Sequence, residues 1–127
     1  IDVQVECPEH LDARHDRKWT SEALFNILDN AVKYTPAGGQ IRVSVEGWEM
    51  YVKINIADTG IGISEQHQGT IFKRFYRSRF SKDKQGLGLG LPLAKMIIEA
   101  HNGTIEVTSE LQKGTTFTLN FLNPTKL

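Results

Sequence analysis

Apolar and polar residues alternate over residues 2–7, with Val3, Val5 and Cys7 on one side and Pro8 directly after. A period of two marks a strand, and proline stops it by removing a ladder donor. After a polar stretch to about residue 17, Leu24, Phe25, Ile27, Leu28, Ala31 and Val32 recur at helical spacing across residues 18–35. Thr35-Pro36-Ala37-Gly38-Gly39 then supplies strong breakers. Ile41, Val43 and Val45 alternate with polar neighbours, and beyond Gly47 a second run puts Val52, Ile54 and Ile56 on one face, which predicts a hairpin. Residues 66–90 show no sustained period, and so long an irregular stretch in a small domain is usually functional or mobile. Helical spacing resumes over residues 91–101 through Leu91, Ala94, Ile97 and Ile98, with Pro92 in the first turn and Asn102-Gly103 as a C-terminal cap. Ile105 and Val107, then Phe117, Leu119 and Phe121, predict two closing strands joined by a turn that ends at Lys113-Gly114. Hairpins require antiparallel pairs, so the expected fold is α/β: a two-layer α/β sandwich whose mixed sheet carries helices on one face.

Composition narrows the function classes. The 127 residues suit one domain, 1–127. No apolar run approaches the ~20 residues that cross a bilayer, so direct membrane contact by this domain is not expected. Fifteen basic and fifteen acidic side chains cancel, so no overall field favours nucleic acid or an acidic membrane. The single cysteine, Cys7, has no intramolecular partner; a packing role and a reducing, cytoplasmic setting are expected. Ile1 opens directly on the alternating pattern, which is expected of a piece of a longer protein.

Three places carry candidate chemistry. On a wheel of about 100° per residue, Asn26, Asn30, Lys33 and Tyr34 share one arc of the first helix, opposite Leu24, Phe25, Leu28, Ala31 and Val32. A merely solvated face would favour Glu, Lys or Gln, whereas asparagine is a poor helix former. Amide oxygens are hard neutral ligands for a phosphate-bound Mg²⁺, and the Lys33 ammonium can neutralise phosphate. Second, Asp58 continues the face of Val52, Ile54 and Ile56, so its carboxylate points toward the core and needs a partner, either an internal network or a ligand donor such as adenine's amine. Thr59-Gly60-Ile61-Gly62 follows and lets backbone approach a flat ligand. Third, Gly86, Gly88 and Gly90 alternate with Leu87, Leu89 and Leu91 and run into a helix N-terminus, a natural phosphate cradle. Lys73, Arg74, Arg77, Arg79, Lys82 and Lys84, opposed only by Asp83, precede it and suit a nucleotide or an acidic partner surface.

In this order, Asn26-x-x-x-Asn30-Ala31-x-Lys33-Tyr34-Thr35, Asp58-x-Gly60-x-Gly62, Phe72-x-x-Phe75 and Gly86-x-Gly88-x-Gly90 resemble the N, first glycine, F and second glycine boxes of the ATP-binding catalytic domain of sensor histidine kinases. That domain is a member of the gyrase, chaperone and mismatch-repair ATPase superfamily with the Bergerat fold. Gly114-Thr115-x-Phe117 looks like a further glycine box. The resemblance implies ATP and Mg²⁺ as cofactors, Asp58 on adenine with Gly62 and Thr115 beside it, and Asn26 and Asn30 on Mg²⁺. It implies Lys33 on phosphate, Tyr34 flanking the nucleotide, the glycine-box residues Gly60, Ile61, Gly62, Gly86, Leu87, Gly88, Leu89, Gly90 and Leu91 in the binding site, and a mobile lid from about residue 64 to 90. It also implies a phosphoacceptor histidine on a separate dimerisation domain, a response regulator downstream, and a place as the cytosolic domain of a membrane-bound parent. None of His10, His15, His67 or His101 has the acceptor's Ser-His-Glu-x-x-Thr-Pro context; surface or capping roles are expected of them. Hydrolytic relatives carry a glutamate base where this helix has Asn26, and an amide takes no proton from water, so fast hydrolysis is disfavoured; Glu22 is the one nearby substitute. A serine kinase of the same superfamily and a non-catalytic binding module are the rival readings.

Overall fold

A computed structural model describes residues 1–8, 16–72 and 90–122. Five strands, β1 (Asp2–Glu6), β2 (Gln40–Gly47), β3 (Tyr51–Asp58), β4 (Thr104–Glu110) and β5 (Gly114–Leu122), form one mixed sheet in the order β1-β2-β3-β5-β4. Among the described residues three helices accompany them: α1 (Arg17–Tyr34), α2 (Glu65–Gln68) and α3 (Gly90–Ala100). Only β1 and β2 pair in parallel; the other three ladders are antiparallel.

Each long helix has a physical start and stop. The Asp16 carboxylate accepts the N–H groups of Lys18 and Trp19 at 3.0 and 3.2 Å, capping α1 at its first turn. Thr35 is extended, as a residue before proline must be, and ends the helix. At the end of α3, Asn102 adopts a left-handed φ of 60° and the Gly103 N–H returns to the Ile98 carbonyl at 3.0 Å.

α1 and α3 pack on each other over one side of the sheet, with α1 against β3 and α3 against β4. One core results, built on Phe117, Leu119, Phe121, Ile56 and Ile41 from the sheet and Ala23, Ile27, Ala31, Ala94 and Ile98 from the helices. Ala23 and Ala94 are fully buried, so the two helices meet on small side chains. β3 and β4 both run antiparallel to β5, hence parallel to each other, and α3 is their crossover just as α1 joins β1 to β2. The two crossovers move the same way across the sheet but leave from oppositely directed strands. With both helices on one face, one crossover is left-handed, against the strong general preference.

Two expectations are corrected. Phe25 and Val32 are 64% and 49% exposed, and the buried side of α1 is instead Thr20, Ala23, Ile27 and Ala31. Leu24 and Leu28 stay partly buried, so the true core stripe is rotated toward the alanines by the close approach of α3. Cys7 is exposed, not packed, because β1 ends at Glu6 and lies at the sheet edge beyond the helices. Val3 and Val5 of β1 are likewise uncovered.

Candidate functional site

Asp58 ends β3 on the core side, opposite Thr115 of β5. Its Oδ1 accepts two backbone donors, Gly60 N–H at 2.8 Å and Thr115 N–H at 3.3 Å. No donor among the described residues reaches Oδ2. Burial raises the Asp58 pKa above the ordinary carboxylate value, and the bonds from Gly60 and Thr115 pull against that rise without cancelling it. The carboxylate is thus fixed at one oxygen and open at the other. Beside it lies a cleft of about 280 Å³ lined by Asp58, Ser109, Gly114, Thr115 and neighbouring β4 and β5 residues. A larger depression of about 360 Å³, around Tyr51, Lys53 and Asn120, contains none of the expected site residues.

Glycines let the backbone close in on Asp58. A Cβ on Gly60 would collide with the Tyr34 carbonyl, and one on Gly114, whose φ is +131°, would collide with the Asp58 carbonyl. The Ile61 N–H donates to the Tyr34 carbonyl at 3.1 Å, which ties the loop after β3 to the end of α1. Gly62, with a φ of +76°, lies against the Glu110 carbonyl and the β4–β5 turn. There the Ile61 carbonyl accepts the Gln112 N–H at 2.8 Å. Gly62 therefore docks the loop, while Gly60 shapes the wall near the carboxylate.

The asparagine arc of α1 meets the start of α3. Oδ1 of Asn26 lies 3.4 Å from where a Cβ on Gly90 would be, and Nδ2 of Asn26 is buried without a partner among the described residues. A buried amide with unused capacity is costly in a finished core. Asn30 is half-buried one turn along. Lys33 forms an ion pair with Asp29 at 3.0 Å, and Tyr34 is half-buried. Leu91 packs partly buried against the core, so it anchors the first turn of α3. Gly86, Leu87, Gly88 and Leu89, Phe75 and the six clustered cations lie outside the described residues, as does most of the expected lid. Phe72 is described: it meets Phe117 edge-on at 6.1 Å, with the Lys95 ammonium 5.7 Å from its ring centre.

Several residues here were not singled out from sequence. The Ser109 hydroxyl bridges Ile63, Gly114 and Thr115. The Gln68 amide of α2 donates to the carbonyls of Ile63 and Ser109 at 2.9 and 3.0 Å. His101 joins the two long helices: Nε2 accepts the Asp16 N–H at 2.8 Å, while Nδ1 contacts the Ile97 carbonyl at 2.7 Å. The Nδ1 of His67 lies 2.8 Å from the Ser64 hydroxyl, and His10 and His15 lie outside the described residues. Among the described residues no helix is long and apolar enough to cross a membrane.

Comparison with known proteins agrees with this architecture. Residues 15–125 match the family described as histidine kinase-, DNA gyrase B-, and HSP90-like ATPase. The chain is 42% identical over 112 residues to sensor protein SrrB of Staphylococcus aureus, covering 87% of this chain and 19% of that protein. It thus spans about one fifth of that relative's length. In solved structures, it matches a mycobacterial sensor histidine kinase, MprB, at 28% identity and TM-score 0.87, over 96% of this chain and 83% of that one. It also matches full-length ShkA in complex with AMPPNP at 25% identity and TM-score 0.83, over 96% of this chain and 26% of that one. The chain therefore belongs to the histidine kinase-, DNA gyrase B- and HSP90-like ATPase family, as an ATP-binding catalytic domain of the sensor histidine kinase type.

Proposed function

We propose that this domain binds ATP with Mg²⁺ and donates the γ-phosphoryl group to a histidine on a separate dimerisation domain of the same kinase, which then serves a response regulator. The observation that carries this reading is the open Oδ2 of Asp58, held beside a cleft by two backbone bonds to its sister oxygen. A half-buried carboxylate with one satisfied oxygen is built for a ligand donor, and the 6-amino group of adenine is one. ShkA, which has the same fold, was solved with an ATP analogue.

From Asp58 the phosphates run toward α1 and α3. The donor set fits Mg²⁺: Asn26 and Asn30 offer neutral amide oxygens one turn apart, while the Asn26 Nδ2 group, buried and unpaired among the described residues, is left as a donor for a phosphate oxygen. A bound Mg²⁺ supplies neutralisation of charge on the phosphate oxygens. The N-terminal end of α3 adds a positive helix pole beside Asn26. Lys33 is held by Asp29, but a part-exposed pair of this kind contributes only about 0–1 kcal/mol, which a polyanionic phosphate offsets. No carboxylate stands at Asn26 to take a proton from water. The chain's residues therefore position and neutralise the γ-phosphoryl, and the nucleophile arrives on another domain.

Calorimetry with Mg²⁺–ATP, followed by tracing labelled γ-phosphate onto an added histidine-bearing helical domain, tests both halves. Binding followed by transfer is expected. Binding without transfer but with rapid phosphate release favours an ATPase instead.

A further inference from the structure

Ser109 lies on β4 in register with Thr115 of β5, on the core-facing side that Ile105 and Val107 begin. Its hydroxyl stands at the centre of three short contacts. It accepts the Ile63 N–H at 2.7 Å, donates to the Gly114 carbonyl at 2.9 Å, and lies 2.7 Å from Oγ1 of Thr115. Around it, Gln68 clamps the carbonyls of Ile63 and Ser109 together, so the loop after β3, α2 and the β4–β5 hairpin converge on this one oxygen.

Proton counting settles the direction of the third contact. A hydroxyl has one proton and two lone pairs. The Gly114 carbonyl only accepts, so it takes the Ser109 proton; the Ile63 N–H only donates, so it takes one lone pair. The remaining lone pair of Ser109 is left for Thr115, which must donate. Thr115 consequently spends its only proton on Ser109, and its own lone pairs are left as acceptors. With Oδ2 of Asp58 on the partner strand, the cleft then presents two acceptors and no side-chain donor from this pair.

We propose that Ser109 is a positioning residue that fixes Thr115 as a hydrogen-bond acceptor and thereby sets the site's preference for an amine-bearing purine edge over a carbonyl-bearing one. The inference rests on the proposed binding of a nucleotide base at Asp58. Adenine offers an amine that two acceptors satisfy, directly or through a bridging water. Guanine offers a carbonyl at that place, which meets two acceptors and no donor. Without Ser109, the Thr115 hydroxyl is free to rotate and donate, and a carbonyl edge becomes tolerable.

The test is calorimetric titration of this chain with Mg²⁺–ATP and, separately, Mg²⁺–GTP, comparing the unsubstituted protein with Ser109→Ala and Ser109→Thr. Ser109→Ala is expected to lower the ATP-over-GTP affinity ratio about five- to tenfold, the scale of one redirected hydrogen bond. Ser109→Thr keeps the hydroxyl and should return the ratio to within about twofold of the original. Should Ser109→Ala fail to fold, Ser109→Cys, near in size and weak in hydrogen bonding, replaces it. An unchanged ratio in a folded variant, even with both affinities reduced, overturns the proposal, since loosening alone weakens both ligands alike. Absence of ATP binding by the unsubstituted chain overturns the nucleotide reading itself.

Discussion

Asn26 and Gly90 meet across the two long helices: a Cβ on Gly90 would lie 3.4 Å from Oδ1 of Asn26, so the missing side chain at the first residue of α3 leaves room beside that amide oxygen. A methyl group fits there without clash but covers the oxygen. Gly90→Ala should therefore preserve the fold, since alanine is the better helix former, while weakening Mg²⁺–ATP at least about tenfold. Thermal unfolding and calorimetry on the same sample check the two halves. Unaltered affinity would remove Asn26 from the metal site.

Asp58 separates binding from stability. Asp58→Asn keeps an acceptor for the Gly60 and Thr115 N–H groups but turns a donor toward adenine's amine, so ATP affinity should fall by about 2–4 kcal/mol. Its folded-state pKa is raised by burial, so the protonated form favours folding, and the ionised form costs stability as pH rises through that pKa. The substituted protein should thus unfold at a temperature no lower than the original at neutral pH, with the difference vanishing as the pH falls to the ordinary value of 3.8. ATP binding by the unsubstituted chain runs the other way, since the carboxylate form accepts the amine. Affinity should climb with pH through the raised pKa and then level off. A melting series and a binding series over pH 4–8 check both signs.

Strand alternation made much of this legible. Asp58 could be placed because it follows Val52, Ile54 and Ile56 at a period of two, and the structure puts it on the core side with them. The same rule applied to Ile105, Val107 and Ser109 points to a polar group on the core face, yet a single serine beside a turn gives no hint that three partners converge on it. Gly114 and Thr115 come from the other arm of its own hairpin, but Ile63 comes from a distant segment of the chain. The apolar stripe of α1 was misjudged for a related reason: Ala23 counts for little in a periodicity, but its smallness is what lets α3 approach. Phe25 and Val32 look like core and face solvent. The left-handed crossover is set by how two helices share a face, which no local pattern encodes.

His101 supplies a test remote from the cleft. Its Nε2 accepts the Asp16 N–H at 2.8 Å and its Nδ1 meets the Ile97 carbonyl at 2.7 Å, fixing a tautomer with the proton on Nδ1 and tying the start of α1 to the end of α3. The ring also packs edge-on to Phe121. His101→Ala should lower stability by about 1–3 kcal/mol through the lost bonds and contact. ATP affinity measured well below the melting temperature should stay within about twofold, because among the described residues the ring meets Asp16, Ile97 and Phe121 and none of the candidate site. A large binding loss in a folded protein would mean that the helix pair transmits to the nucleotide.

The sharpest separation of kinase from ATPase lies at Asn26. An amide can ligate a metal but takes no proton from water, and Glu22, one turn earlier on the same side of α1, is exposed to solvent. The isolated chain should therefore bind Mg²⁺–ATP, release phosphate very slowly and leave its own histidines unlabelled. Adding the acceptor domain should restore transfer, because the missing element is the nucleophile and not the positioning of the γ-phosphoryl. Asn26→Ala removes a metal oxygen and should reduce that transfer at least about tenfold, in the range that loss of an electrostatic stabiliser produces. Asn26→Glu adds a base beside Gly90, and it should depress transfer while raising phosphate release above the unsubstituted level. Following labelled γ-phosphate in all three proteins, with and without the acceptor, distinguishes these outcomes. Rapid release by the unsubstituted chain alone would assign the activity to water and place the general base on a residue other than Asn26.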